Sequence, residues 1–247
     1  MPRANRYFIP GHVWHITHRC HKREFLLKFS RDRHCLIHWL YQATRRYGLR
    51  VLNYIVTSNH IHLLVMDDGK SDIPKSLQLI AGRTAQQYNI RKQRKGAYWE
   101  DRYHATAIEQ GAHLARCLVY IDMNMVRAGA VSHPSDWLWS GYREIQQPPK
   151  RKGIVDLELL KSLWGLKSVA DFQCMHHAWV ESALQATSNE RDSDWTSSVA
   201  VGGLEYVESI KKQLGLKVHA RKVVIVSEGY AIQEEHAEYA HFDAKNH

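Results

Sequence analysis

Asn59-His60-Ile61-His62-Leu63-Leu64-Val65 sets two histidines on either side of one large apolar residue, directly after a second apolar run, Val51-Leu52-Asn53-Tyr54-Ile55-Val56. In a β-strand, residues i and i+2 share a face. His60 and His62 therefore project side by side, and Ile61 packs behind them. Two imidazoles on one side of a rigid strand make a natural pair of metal ligands. They make an equally natural pair of half-buried histidines hydrogen-bonded to their surroundings, and the spacing alone leaves both readings open.

The neighbouring sequence places this strand. Residues 50–57 and 60–66 read as two strands with Ser58-Asn59 at the turn, a hairpin that carries the histidines on its second arm. Upstream, His12 to Arg19 follows Pro10-Gly11 and is rich in β-branched and aromatic residues, so it predicts the first strand. Ser30 is an expected N-cap. Leu36, Trp39, Leu40, Ala43 and Tyr47 have helical spacing, and Gly48 stops that helix. Ile73, Leu77, Ile80, Ala81, Thr84 and Tyr88 mark a second helix over about 72–91, and Tyr103 to Glu109 reads as a fourth strand. The order β-α-β-β-α-β predicts an α+β, ferredoxin-like unit: an antiparallel sheet with helices on one face.

A third helix begins near His113. Leu114, Cys117, Leu118, Ile121 and Met125 form its apolar stripe, while Arg116, Tyr120 and Asn124 recur every four residues on another face. A surface tyrosine with polar neighbours is the plain account of that second face. Gln147 to Gly153 reads as a linker. The sequence thus divides into a domain over 1–147, a linker over 148–153, a mainly helical accessory region over 154–226, and a mobile tail over 227–247. Helices are expected over 156–164, 169–186 and 203–215, with Thr187 to Val199 a polar loop.

Charge separates the same two parts. Residues 1–153 hold 25 Lys and Arg against 11 Asp and Glu, so +14, and residues 154–247 hold 9 against 14, so −5. Concentrated basic charge is the footprint of a polyanion binder, although solubility alone also produces basic proteins. Arg91-Lys92-Gln93-Arg94-Lys95-Gly96-Ala97-Tyr98-Trp99 interleaves cations with aromatics, which suits phosphate contact plus base stacking and equally suits a solvated loop with Trp99 tucked into the core. No apolar run reaches the roughly 18–20 residues that span a membrane, no signal-peptide core follows the N-terminus, and the four cysteines make no Cys-x-x-Cys pair. These features predict a cytoplasmic protein with reduced thiols.

If the third helix lies across the sheet face of the histidines, Asn124 can add an oxygen ligand beside His60 and His62. Such an N/O site suits Mg²⁺ or Mn²⁺ and also accepts Zn²⁺ or Co²⁺. Tyr120, one turn earlier, then points at whatever the cation binds. On a phosphodiester the cation acts as a Lewis acid and the tyrosine as nucleophile.

These segments resemble a known family. Asn59 to Val65 looks like the His-hydrophobe-His motif of single-tyrosine HUH transposases, and Tyr120-Ile121-Asp122-Met123-Asn124-Met125-Val126-Arg127-Ala128-Gly129 resembles their tyrosine helix. More narrowly, the chain is similar to the REP-associated tyrosine transposases of the IS200-like group. Tyr7 to Arg23, Trp99-Glu100-Asp101-Arg102-Tyr103-His104 and Trp137-x-Trp139-Ser140-x-Tyr142 fit that family in place and order. The resemblance covers about residues 7–145, and Leu159 to Val223 more loosely resembles the extension of longer members. It implies that Tyr120 is the nucleophile, that His60, His62 and Asn124 hold Mg²⁺ or Mn²⁺, and that the substrate is single-stranded DNA carrying REP-type palindromic hairpins. Cutting and rejoining then pass through a 5′-phosphotyrosine, in a monomer or homodimer working at the nucleoid. Arg91, Lys92, Arg94, Lys95, Trp99, Arg102, Arg116 and Arg127 are candidate DNA contacts. Met125 stands where the family has proline, which permits the helix to continue and leaves the place of Arg127 open. The competing reading is a hairpin-binding protein that does not cut. A replication initiator or relaxase of the same chemistry fits less well, since neither a helicase segment nor a second tyrosine is evident.

Overall fold

A computed structural model describes residues 8–186, 193–218 and 221–234. The first half runs β1 (Val13–Arg19), α1 (Ser30–Tyr47), β2 (Arg50–Val56), β3 (His60–Met66), α2 (Ile73–Arg91) and β4 (His104–Ile108). α3 (Ala112–Asp122), α4 (Asn124–Arg127) and α5 (Gly141–Gln146) follow. The remainder holds α6 (Leu157–Leu163), α7 (Val169–Gln185), α8 (Asp194–Ser197), β5 (Ala200–Gly202), α9 (Leu204–Leu214), β6 (Arg221–Val226) and β7 (Gly229–Glu234). The expected β-α-β-β-α-β order is present. α1 is stopped by Gly48 in the left-handed conformation (φ 65°), and α2 is capped by Asp72, whose carboxylate accepts from Lys75 N–H. Ser30 opens α1 as its first residue, with Phe29 in the cap position and no side-chain capping bond.

The sheet order is β2-β3-β1-β4-β5-β7-β6. β1 lies between β3 and β4, antiparallel to both, with Thr17 opposite His62, Arg19 opposite His60 and His15 opposite Thr106. Opposed residues share a face. One face therefore carries His15, Thr17, Arg19, His60 and His62, and the other Trp14, Ile16, His18, Ile61 and Leu63. Trp99 stacks on His18 and donates its indole N–H to the Ala81 carbonyl in α2, so α2 and its partner α1 cover the His18 face. α3 covers the histidine face, where Asn53 of β2 donates to the Leu118 carbonyl and the Asp122 carboxylate. Helices thus lie on both faces, not on one as the sequence predicts. The first two helices follow the ferredoxin-like rule, and the third closes the opposite side.

The region over 154–226 is mainly helical, as expected, and also adds strands to the sheet. α6 to α9 are there, but β5 pairs in parallel with β4 and the β6–β7 hairpin continues from it, so four strands become seven. β7 falls inside the stretch expected to be a mobile tail. Residues 235–247 of that tail lie outside the described residues, as do 187–192 of the expected loop, in which α8 forms over 194–197. β5 has three residues, too few for period-2 alternation to register, and β6 opens on Arg221-Lys222 but continues as the β-branched run Val223 to Val226. No described helix is long and apolar enough to cross a membrane.

One buried polar knot ties the two halves. The side chains of Asp122 in α3 and His176 in α7 are fully buried and meet at 2.8 Å. Asp122 also accepts from Asn53 Nδ2 at 2.9 Å, and His176 Nδ1 accepts from Gln146 Nε2 of α5 at 3.0 Å. The imidazole is therefore read as neutral, with Nε2–H donating to the carboxylate. Gly141 is held to glycine here, because a Cβ would lie 2.3 Å from Asn53 Oδ1. Replacing His176 with Phe fills the space but strands a buried carboxylate. It is expected to cost about 3 kcal/mol, measured by urea unfolding, and a loss under about 1 kcal/mol would show that the knot does not hold the halves together.

Candidate active site

The hairpin turn orients His60. Thr57 N–H donates to the His60 carbonyl across Ser58-Asn59, the two-residue loop the sequence predicts. His60 Nδ1 lies 2.7 Å from Asn59 Oδ1 and 3.0 Å from Thr57 Oγ1, while Asn59 Nδ2 donates to the Arg23 carbonyl. With its amide so oriented, Asn59 Oδ1 accepts, and His60 Nδ1 carries the proton. The lone pair of the neutral ring then sits on Nε2.

His62, 1% exposed, is oriented from farther away. Its Nδ1 is 2.9 Å from His15 Nε2, and the two rings stack at 5.0 Å with 7° between planes. His15 Nδ1 donates to the Trp195 carbonyl of α8 at 2.8 Å. On its other side, His62 Nε2 lies 3.2 Å from the Asn124 amide nitrogen. The rings of His60 and His62 are 4.9 Å apart.

Tyr120 packs edge-on against both His15 (5.9 Å) and His62 (5.8 Å), with Trp195 at 6.3 Å. It is 6% exposed. Arg127 lies with its guanidinium 4.5 Å from the centre of the Tyr120 ring and donates to the Tyr120 carbonyl. The break after α3 at Met123 keeps a right-handed backbone (φ −74°, ψ −1°), so Asn124 and Arg127 stay one and two turns beyond Tyr120. Met125 in the proline position is compatible with this turn and leaves Arg127 folded back on the tyrosine.

Two cavities meet around these residues. One of about 180 Å³ is lined by His60 and His62 with Arg19, Asp101, Arg102 and His104. One of about 850 Å³ is lined by Tyr120, Arg116 and Arg127 with Trp164, Trp179 and Trp195. Tyr120 lines the larger cavity and packs edge-on against His62, which lines the smaller one. Among the described residues no group of three or more His, Cys, Asp or Glu is placed to hold a metal ion. A cation here would rest on two imidazole nitrogens and an amide oxygen, the remaining positions going to water and phosphate. That sparse N/O set fits Mg²⁺ or Mn²⁺, and the engaged Nδ1 atoms leave Nε2 as the ligand atom on both rings. The Asn124 amide must turn over to present its oxygen, an exchange its near-symmetric shape permits.

The basic run lies elsewhere. Arg91 pairs with Asp32, Arg94 with Glu24, and Lys92 sits 5.6 Å from the Phe29 ring centre, while Lys95 is exposed. None of them lines the histidine cavity. Trp99 takes the packed alternative, against His18 and α2. Arg116 pairs with Glu228. Arg102 alone of the expected DNA contacts reaches the histidine cavity, and Arg116 and Arg127 reach the tyrosine cavity. Sequence reasoning missed His15, Arg19 and Trp195. Alternation along β1 places His15 and Arg19 on the histidine face once its pairing with β3 is known. No pattern places Trp195.

Burial also sets the charge of two histidines. Loss of solvent is the largest cause holding both His15 and His18 down to about 4 from an ordinary 6.5. The unfolded chain therefore takes up protons below pH 6.5 that the folded chain refuses until about pH 4. Stability falls across that window as pH drops, by up to about 3 kcal/mol for each group. His18→Gln keeps a donor for the Asp101 carbonyl and cannot titrate. Urea unfolding from pH 7 to 4 should show a shallower decline in that variant, and an unchanged decline would exclude His18 as a source.

Residues 9–124 match the family described as "Transposase IS200 like". Among solved structures, a REP-associated tyrosine transposase bound to a REP hairpin superposes with a TM-score of 0.50 at 23% identity, over 63% of this chain and 94% of that one. A Deinococcus radiodurans R1 protein provisionally assigned as a transposase matches at 14% identity and TM-score 0.35, over 51% of this chain and 95% of that one. No curated protein matches the chain. The first match shows a shared fold.

Proposed function

We propose that this chain is a metal-dependent single-strand DNA endonuclease and strand transferase, a reading supported by the match of residues 9–124 to the family described as "Transposase IS200 like". It cuts and rejoins DNA at REP-type palindromic hairpins through a 5′-phosphotyrosine on Tyr120. The observation that carries the reading is the meeting of His60 and His62 of β3 with Tyr120 of α3 and Asn124 of α4, about sixty residues later, with Tyr120 and His62 ring centres 5.8 Å apart.

His60 and His62 through Nε2, with Asn124 through its amide oxygen, hold a divalent cation, Mg²⁺ or Mn²⁺. When bound, it supplies Lewis-acid stabilisation of the charge that builds on the scissile phosphate. Arg19 and Arg102, lining the same cavity, bring further positive charge to the phosphodiester. Tyr120 Oη attacks the phosphorus, a new P–O bond forms to the tyrosine, and the bond to the 3′ oxygen breaks. The phenol proton ends on that oxygen through solvent. Arg127, stacked on the ring, holds a cation beside the phenol as negative charge develops there. The bond energy stays in the phosphotyrosine, so a 3′-hydroxyl can reverse the step and rejoin strands. The hairpin partner is inferred from the REP hairpin bound by the 23%-identical structure, and the exposed Lys92 and Lys95 offer outlying phosphate contacts.

One observation favours the second reading, a hairpin binder that does not cut: Tyr120 is nearly buried beneath Trp195. The two are separated by incubating the protein and Mn²⁺ with labelled single strands carrying palindromes from its own genome. A covalent adduct is expected with wild type, none with Tyr120→Phe or with EDTA, and hairpin affinity within about threefold in all three. Adduct formation by Tyr120→Phe would exclude this nucleophile, and no adduct under any divalent cation would favour the binder.

A further inference from the structure

We propose that His15 is a positioning residue that fixes the tautomer of His62, with its proton on Nδ1 and its lone pair on Nε2. The proposal rests on the reading of His60 and His62 as metal ligands only for its effect on metal affinity. The tautomer itself follows from the hydrogen bonds. A backbone carbonyl can only accept, so the 2.8 Å contact to Trp195 puts the proton of His15 on Nδ1. His15 is fully buried, and no carboxylate is among its partners in the described residues. A neutral imidazole with Nδ1–H has a lone pair on Nε2. Two lone pairs cannot face one another at 2.9 Å, so His62 Nδ1 is the donor in that contact. His62 Nε2 then bears the lone pair.

The far side of His62 is compatible with that assignment in the amide orientation found here, the reverse of the one in which the Asn124 oxygen would face a cation. Asn124 presents its amide N–H to His62 Nε2 at 3.2 Å, which is a hydrogen bond only if that nitrogen accepts. The two histidines therefore reach one tautomer by different means. His60 is set by its own turn, through Asn59 and Thr57. His62 is set by a relay that ends in α8, where Trp195 is held in place by Thr106 of β4, whose hydroxyl lies 3.2 Å from the Trp195 carbonyl and 2.7 Å from that of Ser198. Partners of this kind orient a metal-bound histidine and raise its basicity, and their loss lowers metal affinity by about 10–100-fold.

The test uses the full-length protein with ¹⁵N-labelled histidine and no metal. Long-range ¹H–¹⁵N spectra are expected to show His62 protonated on Nδ1, and His62 protonated on Nε2 in wild type would overturn the proposal even if every variant failed to fold. His15→Phe keeps the volume and removes the acceptor. It should shift the His62 signature and weaken Mn²⁺ binding, measured by calorimetry without DNA, by about 10–100-fold. His15→Gln can place Oε1 near the position of Nε2 and should restore affinity to within about threefold. Hairpin binding in EDTA should be unchanged in both. Mn²⁺ affinity of a folded His15→Phe within twofold of wild type would overturn the role in metal binding. If His60→Ala also left Mn²⁺ affinity unchanged, the ligand reading would fail instead, and the metal-free spectrum would still judge the relay.

Discussion

The register of β1 against β3 is the constraint on which the rest depends. Thr17 faces His62 and Arg19 faces His60, with β1 paired to β4 on its other edge. Side chains alternate with a period of two, so a slip of one residue would turn His15 and Arg19 toward α1 and α2 and bring His18 and Ile16 to the site. The packing opposes such a slip. Ile16, Ile61 and Leu63 are fully or almost fully buried on the α1–α2 side, and exchanging them for His15, Thr17 and His62 would place polar groups in a dry core. The hydrophobic layer under one face thereby holds the polar layer on the other in alignment.

The second half of the chain contributes to the site through backbone more than through side-chain chemistry. β5 extends the sheet from β4 over two register pairs. That pairing brings α8 over β1 and β4, where its carbonyls accept from His15, Thr106 and His104. α7 is fastened to α3 by the Asp122–His176 contact, two residues beyond Tyr120. The tyrosine helix is thus gripped from the sheet below and the accessory helices above. This region is net negative, in keeping with a role in holding the site in shape and not in tracking phosphates.

Much of this was legible in the sequence, for identifiable reasons. Period-2 and period-3.6 patterns are strong in the first 122 residues, and the four predicted strands there match to within about one residue. Local spacing marked the His60–His62 and Tyr120–Asn124 pairs but left their roles open, the family resemblance singled them out, and the structure brings the two pairs together. Of the later strands, β5 is too short to show alternation, whereas the β-branched run Val223 to Val226 in β6 carried a strand signal that the basic cluster around Arg221-Lys222 overshadowed. The face of α3 was legible only conditionally, since helix periodicity says which residues share a side and not which layer that side meets. The basic run 91–95 divides: Arg91 and Arg94 pair with Asp32 and Glu24, partners distant in sequence that clustered charge does not reveal, while Lys92 and Lys95 are exposed. The Trp195 carbonyl was beyond reach in principle, because every residue has one and only tertiary structure selects it.

The bond between His15 and Trp195 spans 180 positions. It cannot exist in any nascent chain shorter than 195 residues, although the hairpin histidines and the tyrosine helix will have emerged long before. Synthesis at about 5–20 residues per second separates these events by several seconds. During that interval the growing polypeptide carries both motifs without the outer acceptor of the His62 relay. The geometry thus makes the synthesis of residues 123–195 a built-in delay between producing the two motifs and supplying that acceptor.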